Sequence, residues 1–190
     1  MAVEAELKAR VRDADAVRKR LDQRARPEVS TYWDRYFDYP DRRLSNAGRE
    51  LRLRTVETAD GRRRSILTYK EPPVDAASGS KPEHETTVGD AEVIATALAA
   101  LGVENFLSFE KRCTNYRFTA HGRELLATLV RVPELGDEVF IELETIVGTE
   151  DVADALRVVR AVLAELGVSE SDLSSETYTD AVAARRQANR

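Results

Sequence analysis

The sequence predicts an α+β fold in which eight antiparallel strands form a closed or nearly closed barrel, a tunnel with a polar interior flanked by amphipathic helices. Three observations lead there. Segments of strict apolar/charged alternation recur along the chain, and period two marks strands with unlike faces. Helical periodicity is confined to a few segments between and after them. The charged faces carry like-signed pairs: Glu4 with Glu6, Arg52 with Arg54, Glu83 with Glu85, Glu142 with Glu144.

The first strand is VEAELKARV, continuing to Arg12. Val3, Ala5, Leu7, Ala9 and Val11 share one face, and Glu4, Glu6, Lys8 and Arg10 the other. Asp13 then caps a helix with Val17 and Leu21 on one side. The aromatic run Tyr32 to Tyr39 reads as a strand, ended by the turn Tyr39-Pro40-Asp41. Gly48 precedes a strand with Leu51 and Leu53 opposite Arg52 and Arg54. Asp60-Gly61 is a hairpin turn, and RRRSILTYKEP returns with Thr68 and Lys70 on one face, ended by Pro72 and Pro73.

PPVDAASGS reads as a flexible loop. KPEHETTV is the next strand, with Lys81, Glu83 and Glu85 together. GDAEVIATALAALG is a helix from an Asp90 cap to a Gly102 stop. FLSFEKRCTNYRFT, ELLATLVRV and EVFIELETIV complete the strands. Lys111 and Arg117 share parity, and Ile141 and Leu143 back Glu142 and Glu144. TEDVADALRVVRAVLAELG is a long amphipathic helix, capped by Thr149 and stopped by Gly167. SETYTDAVAARRQANR is a short helix with a basic tail, so residues 1–180 read as one domain and 181–190 as the tail.

The 190 residues suffice for one core, and a net charge of -5 argues against non-specific nucleic-acid binding. Cys113 is the single cysteine, which excludes an internal disulfide and a cysteine-based zinc site. The two histidines, His84 and His121, exclude a histidine-rich one. No apolar stretch reads as a signal peptide or a membrane span, so the expectation is a cytoplasmic protein without a membrane partner.

An antiparallel sheet often leaves one charged face in water. Such a face has no need to segregate signs by strand, whereas a site for a polyanion and a divalent cation does. Carboxylate pairs hold Mg²⁺ or Mn²⁺, and Arg and Lys hold phosphate oxygens. A barrel joining these strands turns the charges inward and the apolar faces out, under the helices.

The chain resembles the CYTH superfamily of triphosphate-tunnel proteins over nearly its whole length. The hallmark Glu-x-Glu-x-Lys stands as Glu4-Ala5-Glu6-Leu7-Lys8. YFDYPDRRLSNAGRELRLR is similar to the segment ending in paired arginines, LTYKEP to the lysine strand, and KPEHETTV to R-x-E-x-E with Lys81 in the Arg position. FEKRCTNY resembles K-x-R-x-x-Y with Lys111 and Tyr116, ELGDEVFIELE the L-G-x-F-x-E-x-E strand, and SETYTDAV the closing Ser-Tyr segment. Two positions depart: Cys113 replaces a basic residue, with Arg112 beside it on the opposite parity, and Val130 or Thr128 stands where the family carries an acid.

The resemblance, closest to the class IV adenylyl cyclase branch, implies a triphosphate held with Mg²⁺ or Mn²⁺. On that basis Glu4, Glu6, Glu142 and Glu144 are the metal ligands. Arg52, Arg54, Lys70, Lys111, Lys81 and Arg117 bind phosphate, Glu83 and Glu85 support the basic residues, and Lys8 serves catalysis with Glu4 and Glu6. The implied reaction is ATP to cyclic AMP and pyrophosphate. Hydrolysis of inorganic, nucleoside or thiamine triphosphate is the second reading, and a non-catalytic nucleotide- or polyphosphate-binding module the third. A homodimer is compatible with the family. Cys113 lacks a His partner, His84 points away from the charged face by parity, and His121 sits in a turn, so none reads as catalytic.

Overall fold

The structure, a computed structural model, describes residues 2–75 and 79–189. The centre of the PPVDAASGS loop, residues 76–78, lies outside the described residues. Each alternating segment is a strand. β1 (Ala2–Arg10), β2 (Glu28–Asp38), β3 (Glu50–Thr58), β4 (Arg63–Lys70), β5 (Lys81–Val88), β6 (Glu104–Ala120), β7 (Arg123–Arg131) and β8 (Phe140–Gly148) close into an antiparallel barrel in the order β1-β5-β4-β3-β2-β6-β7-β8. Closure rests on β1, which pairs with β8 along its whole length and with β5 over only two positions, Val3 with Pro82 and Glu4 with Lys81.

The register turns one residue set inward on every strand. Glu6 lies opposite Glu144, Lys8 opposite Glu142, Arg52 opposite Thr68, and Lys70 opposite Glu83. A slip of one residue would exchange this set for the apolar one. The apolar set packs outward under helices. Val3, Ala5 and Ala9 are fully buried, and with Ile141 and Leu143 they meet Val17 and Leu21 of α1 (Ala14–Asp22) and Leu156, Val159 and Leu163 of α4 (Val152–Glu165). α3 (Ala91–Ala100) covers Phe37, Leu53 and Val103 through Ile94 and Leu98. α5 (Tyr178–Ala188) docks Tyr178 and Val182 at one end of the barrel.

Local signals set the ends. Asp13 accepts a hydrogen bond from Ala16 N, and Asp90 accepts from Glu92 N and Val93 N. Gly102 and Gly167 end their helices at φ of 80° and 85°, which glycine adopts without strain. Thr149 does not cap α4. Residues Thr149–Asp151 form a 3-10 turn first, Asp151 occupies the cap position, and no side chain closes it. The first strand ends at Arg10 rather than Arg12.

One element had no periodicity to announce it. The four-residue helix α2 (Arg43–Asn46) hangs on Asp38, whose buried carboxylate accepts from Tyr39 N, Leu44 N, Ser45 N and Ser45 Oγ. That anchor sets the path from β2 into β3 and hence the placing of Arg52. No described helix is long and apolar enough to cross a membrane.

Leu163 is 2% exposed between α4 and the outer barrel face. Leu163→Ala is expected to cost about 2–5 kcal/mol, read as a lower urea midpoint at unchanged slope.

Candidate functional site

The inward set lines a cavity of about 540 Å³. Glu4, Glu6 and Lys8 of β1, Arg52 and Arg54 of β3, Lys70 of β4, Lys81, Glu83 and Glu85 of β5, Lys111 and Arg117 of β6, and Glu142 and Glu144 of β8 all reach it. Every site residue read from the sequence thus faces one space, at different depths. Lys111 and Arg52 are buried, whereas Arg117 and Glu85 are exposed towards solvent. Tyr116 is the exception among the motif residues. It faces the helices and donates to Asp22 at 3.0 Å.

The carboxylates separate into two groups. Oxygens of Glu4, Glu6 and Glu144 lie within 4.8 Å of one another. Glu142, two residues before Glu144 on the same strand, instead accepts from Lys111 at 3.3 Å. Crowding of the first group shows in the acidities. Burial raises Glu6 to about 7, helped by the negative charges of Glu142 and Glu4. Burial lifts Glu144 well above the carboxylate range, again with Glu4 and Glu6 behind it. Burial acts most strongly on Glu4 too, but Lys70 at 3.2 Å, the contacts with Glu83 and Glu144 and the Arg52 charge together outweigh it and hold Glu4 ionised. Three converging carboxylates, two of them driven towards the protonated form, are a hard oxygen donor set short of positive charge. It fits Mg²⁺ or Mn²⁺, and thiol or imidazole ligands are missing from the cluster.

The cations each have a different arrangement. Lys70 sits between Glu4 and Glu83 as an ion triad. Burial, the contact with Glu4 and its charge raise Glu83 to about 8 despite Lys70. Arg52 donates to Thr68 Oγ1 at 3.3 Å and lies 3.6 Å from Glu85, and its buried Nε has no partner. A buried guanidinium N–H left unpaired is costly, so this donor is available to an incoming anion. Glu85 is held by Thr68 Oγ1 at 2.7 Å, which fits a supporting role.

Arg54 is placed differently from the expectation of a phosphate ligand. Both arms of its fork lie on Asp34, at 2.6 and 2.7 Å, and its guanidinium stacks over Tyr32 at 4.6 Å. Asp34 is 1% exposed. Burial alone would raise its pKa, but the Arg54 charge and hydrogen bond outweigh that and hold it below the usual range. Arg54 therefore lends charge to the tunnel while its bidentate geometry is committed to Asp34.

Asp34 is one of the residues that sequence reading missed, and a parity test on β2 could have found it. Tyr32, Asp34 and Tyr36 share the inward face. Tyr178 is the other. Its ring centre lies 4.4 Å from Lys8 Nζ and 4.1 Å from Lys111 Nζ, and it packs edge-on against Phe140. Lys8 Nζ also donates to the Glu176 carbonyl. Burial lowers the Lys8 pKa in spite of Glu142 and Glu6. The first residue of α5 thus holds both lysines at the closed end of the tunnel, and the segment just before it holds Lys8 as well.

That end is apolar. Tyr36, Leu107, Phe109, Cys113, Val130, Phe140 and Tyr178 form one cluster. Cys113 and Val130 lie directly opposite each other on β6 and β7. Where Val130 is the second departure from the family pattern, the two departures are neighbours across β6 and β7; Thr128, the alternative, lies opposite Asn115 one inward position away. Burial pushes the Cys113 thiol up to about 12, so it is no nucleophile near neutral pH. Beside it, Asn115 accepts from Tyr32 and Thr128 and donates to Ser30, closing the neutral layer without loose ends. His84 faces outward onto Tyr69 and Glu71, and His121 lies in the β6–β7 turn against Glu165.

The sequence profile of the CYTH domain family matches residues 2–178. No curated protein matches the chain. Among solved structures, the PH1819 protein of Pyrococcus horikoshii is similar at 25% identity and a TM-score of 0.81, covering 96% of this chain and 99% of that one. A candidate adenylate cyclase from Vibrio parahaemolyticus is similar at 22% identity and a TM-score of 0.79, covering 95% and 97%. A candidate adenylyl cyclase from Hippeastrum, described as having a dominant triphosphatase activity, aligns at 17% identity and a TM-score of 0.64, covering 97% and 96%.

Removing the Asp34 carboxylate strands a buried guanidinium. Asp34→Asn is expected to cost roughly 3–5 kcal/mol in denaturant unfolding. The native carboxyl has a depressed pKa, so its contribution is present above the unfolded carboxylate range and is lost as pH falls below it. Between pH 4 and pH 2 (about the carboxylate range), stability should therefore fall more steeply in the native protein than in Asp34→Asn.

Proposed function

The chain belongs to the CYTH domain family, and on that premise we propose that it is a divalent-metal-dependent enzyme of phosphoryl transfer on a triphosphate held in the tunnel. The observation that carries this reading is the convergence, in one cavity, of the Glu4, Glu6 and Glu144 cluster with the buried cations Arg52, Lys70 and Lys111. Phosphoryl transfer requires alignment and charge neutralisation more than a covalent nucleophile.

Glu4, Glu6 and Glu144 would hold Mg²⁺ or Mn²⁺, with Glu142 at the side of Lys111 and Lys8. The ion supplies positive charge to phosphate oxygens. Arg52 offers its unpaired Nε, and Lys111 and Lys70 offer ammonium groups that the protein now balances with Glu142, Glu4 and Glu83. Each such lysine can exchange a carboxylate for a phosphate oxygen without becoming uncompensated. Lys81, nearer solvent, meets the outer phosphates, and Arg117 lies past them at the mouth.

The first reaction assigned is that of a class IV adenylyl cyclase. The ribose 3′-hydroxyl oxygen of ATP attacks the α-phosphorus, the bond to the bridging oxygen breaks, and its electron pair leaves with pyrophosphate. The hydroxyl proton leaves to water at the open end, and Lys8, beside Lys111 at the closed end, stabilises the departing pyrophosphate. Water in place of the ribose hydroxyl gives hydrolysis with the same residues. The open end of the cavity, where Ile146 is 63% exposed, admits it, and this keeps the triphosphatase reading second.

Purified protein incubated with Mn²⁺ or Mg²⁺ and either ATP or tripolyphosphate separates the readings by product. Cyclic AMP with pyrophosphate from ATP is expected, and inorganic phosphate selects hydrolysis. Saturable binding without turnover leaves a binding module. Chelation by EDTA should abolish turnover, and Glu4→Gln or Glu144→Gln should lower kcat by about 100-fold or more, the scale of losing an electrostatic stabiliser. Full activity in either variant would remove the metal assignment.

A further inference from the structure

The inward face changes character at the open end of the barrel. On β8 the sequence of inward residues runs Glu142, Glu144, Ile146, and on β7 Leu126 lies opposite Glu144. Across the barrel, Ile66 lies opposite Arg54, and Val56 is the next inward residue after it. Aliphatic residues therefore follow the charged zone on facing walls, with Arg64 opposite Val56 and Arg117 opposite Leu126.

Ile146 is the informative member. It is 63% exposed, directly opposite Glu4, and it packs in none of the three hydrophobic clusters of the described residues. Folding gains nothing from an aliphatic side chain there, and a purely inorganic polyphosphate gains nothing either.

Space continues past these residues. A second cavity of about 560 Å³ shares Arg117, Leu126, Glu144 and Ile146 with the first, and is otherwise built on Thr145 of β8 and the β6–β7 hairpin, including Glu124 and Gly122. A ligand whose phosphates lie among the buried cations would reach this cavity only across Leu126 and Ile146. The cavity then offers an aliphatic floor, a guanidinium at Arg117 suited to stacking on a flat ring, and a carboxylate at Glu124 suited to accepting from an amino group.

We propose that this second cavity is the subsite for the base of a nucleoside triphosphate, and that Ile146 and Leu126 make the site select a nucleotide over inorganic tripolyphosphate. The proposal rests on the triphosphate-tunnel reading and adds to it the residues that recognise the organic group. Selection comes from the part of the ligand outside the phosphates, so it is separable from the charged zone.

The test is calorimetric binding, with Mg²⁺ present, of two uncleavable ligands: α,β-methylene-ATP and bis-methylene triphosphonate. The native protein should bind the nucleotide about tenfold more tightly, the effect of roughly 1.4 kcal/mol. Ile146→Asn, at an exposed position that folding does not use, should remove that preference while binding triphosphonate within about twofold of the native protein. Glu124→Gln should weaken the nucleotide alone. Equal affinity of the native protein for both ligands, or parallel loss of both in Ile146→Asn, overturns the subsite and leaves the tunnel reading standing. Failure of both ligands to bind the native protein overturns both.

Discussion

Charges that leave water must be matched, and the barrel depends on that constraint. Moving a single carboxylate or ammonium into a poorly solvated interior costs several kcal/mol even after relaxation. The inward face of this barrel carries such groups on β1, β3, β4, β5, β6 and β8. They are tolerated because Lys70 lies between Glu4 and Glu83, Arg54 lies on Asp34, and Lys111 lies on Glu142. Among the described residues the matching is incomplete at the Arg52 Nε, at the Tyr178 hydroxyl and in the crowded Glu4, Glu6 and Glu144 cluster. These are the points at which a ligand of both signs, a cation with a polyanion, improves the electrostatics of the protein itself.

The same constraint orders the fold around the site. Inward charges compel the strands to turn their apolar faces out, so the hydrophobic core lies between the barrel and α1 and α4 rather than inside the barrel. Where the interior does become apolar, at Tyr36, Phe109, Cys113, Val130 and Phe140, α5 closes it with Tyr178 and Val182. Tyr178 then serves both regions, since its ring edge packs in the apolar cluster and its face receives Lys8 and Lys111. Arg186 fastens the far end of α5 by a forked pair with Glu134, at 2.8 Å on each arm, and by a bond to the Ser108 carbonyl. The orientation of the two lysines is thus tied to a helix distant in sequence from both, about 170 residues from Lys8 and about 70 from Lys111.

Legibility in the sequence followed the range of the signal. Period-two alternation is local and strict on β1, β3, β5 and β8, so Glu4, Glu6, Arg52, Glu83, Glu85, Glu142 and Glu144 could be placed on one face from the sequence alone. Asp34 was hidden because its neighbours are aromatic, and an aromatic run reads as packing on either face. The Arg54 fork could not be assigned without knowing that β2 lies beside β3 with Asp34 opposite Arg54. Tyr178 was legible only as part of the closing Ser-Tyr segment, and its contact with the two lysines was not, because docking of α5 is a long-range event. The Thr149 cap failed for a local reason: a 3-10 turn intervenes, and the helix begins three residues later.

Cys113 and Val130 show what register adds to a list of departures. Apart in sequence, and with Val130 taken as the second departure, they read as two losses of charge. Opposite each other on β6 and β7, they are one apolar contact that lengthens the closed end and leaves the Glu4, Glu6 and Glu144 cluster intact. The central claim is that this interior, and no other surface, takes the cation and the phosphates. Anomalous diffraction at the manganese edge, from crystals grown with Mn²⁺ and an uncleavable triphosphate, tests it most directly. Manganese is expected among Glu4, Glu6 and Glu144 with phosphates on Arg52, Lys70 and Lys111. Manganese and phosphates bound outside the barrel, with the inner ion pairs unchanged, would contradict it.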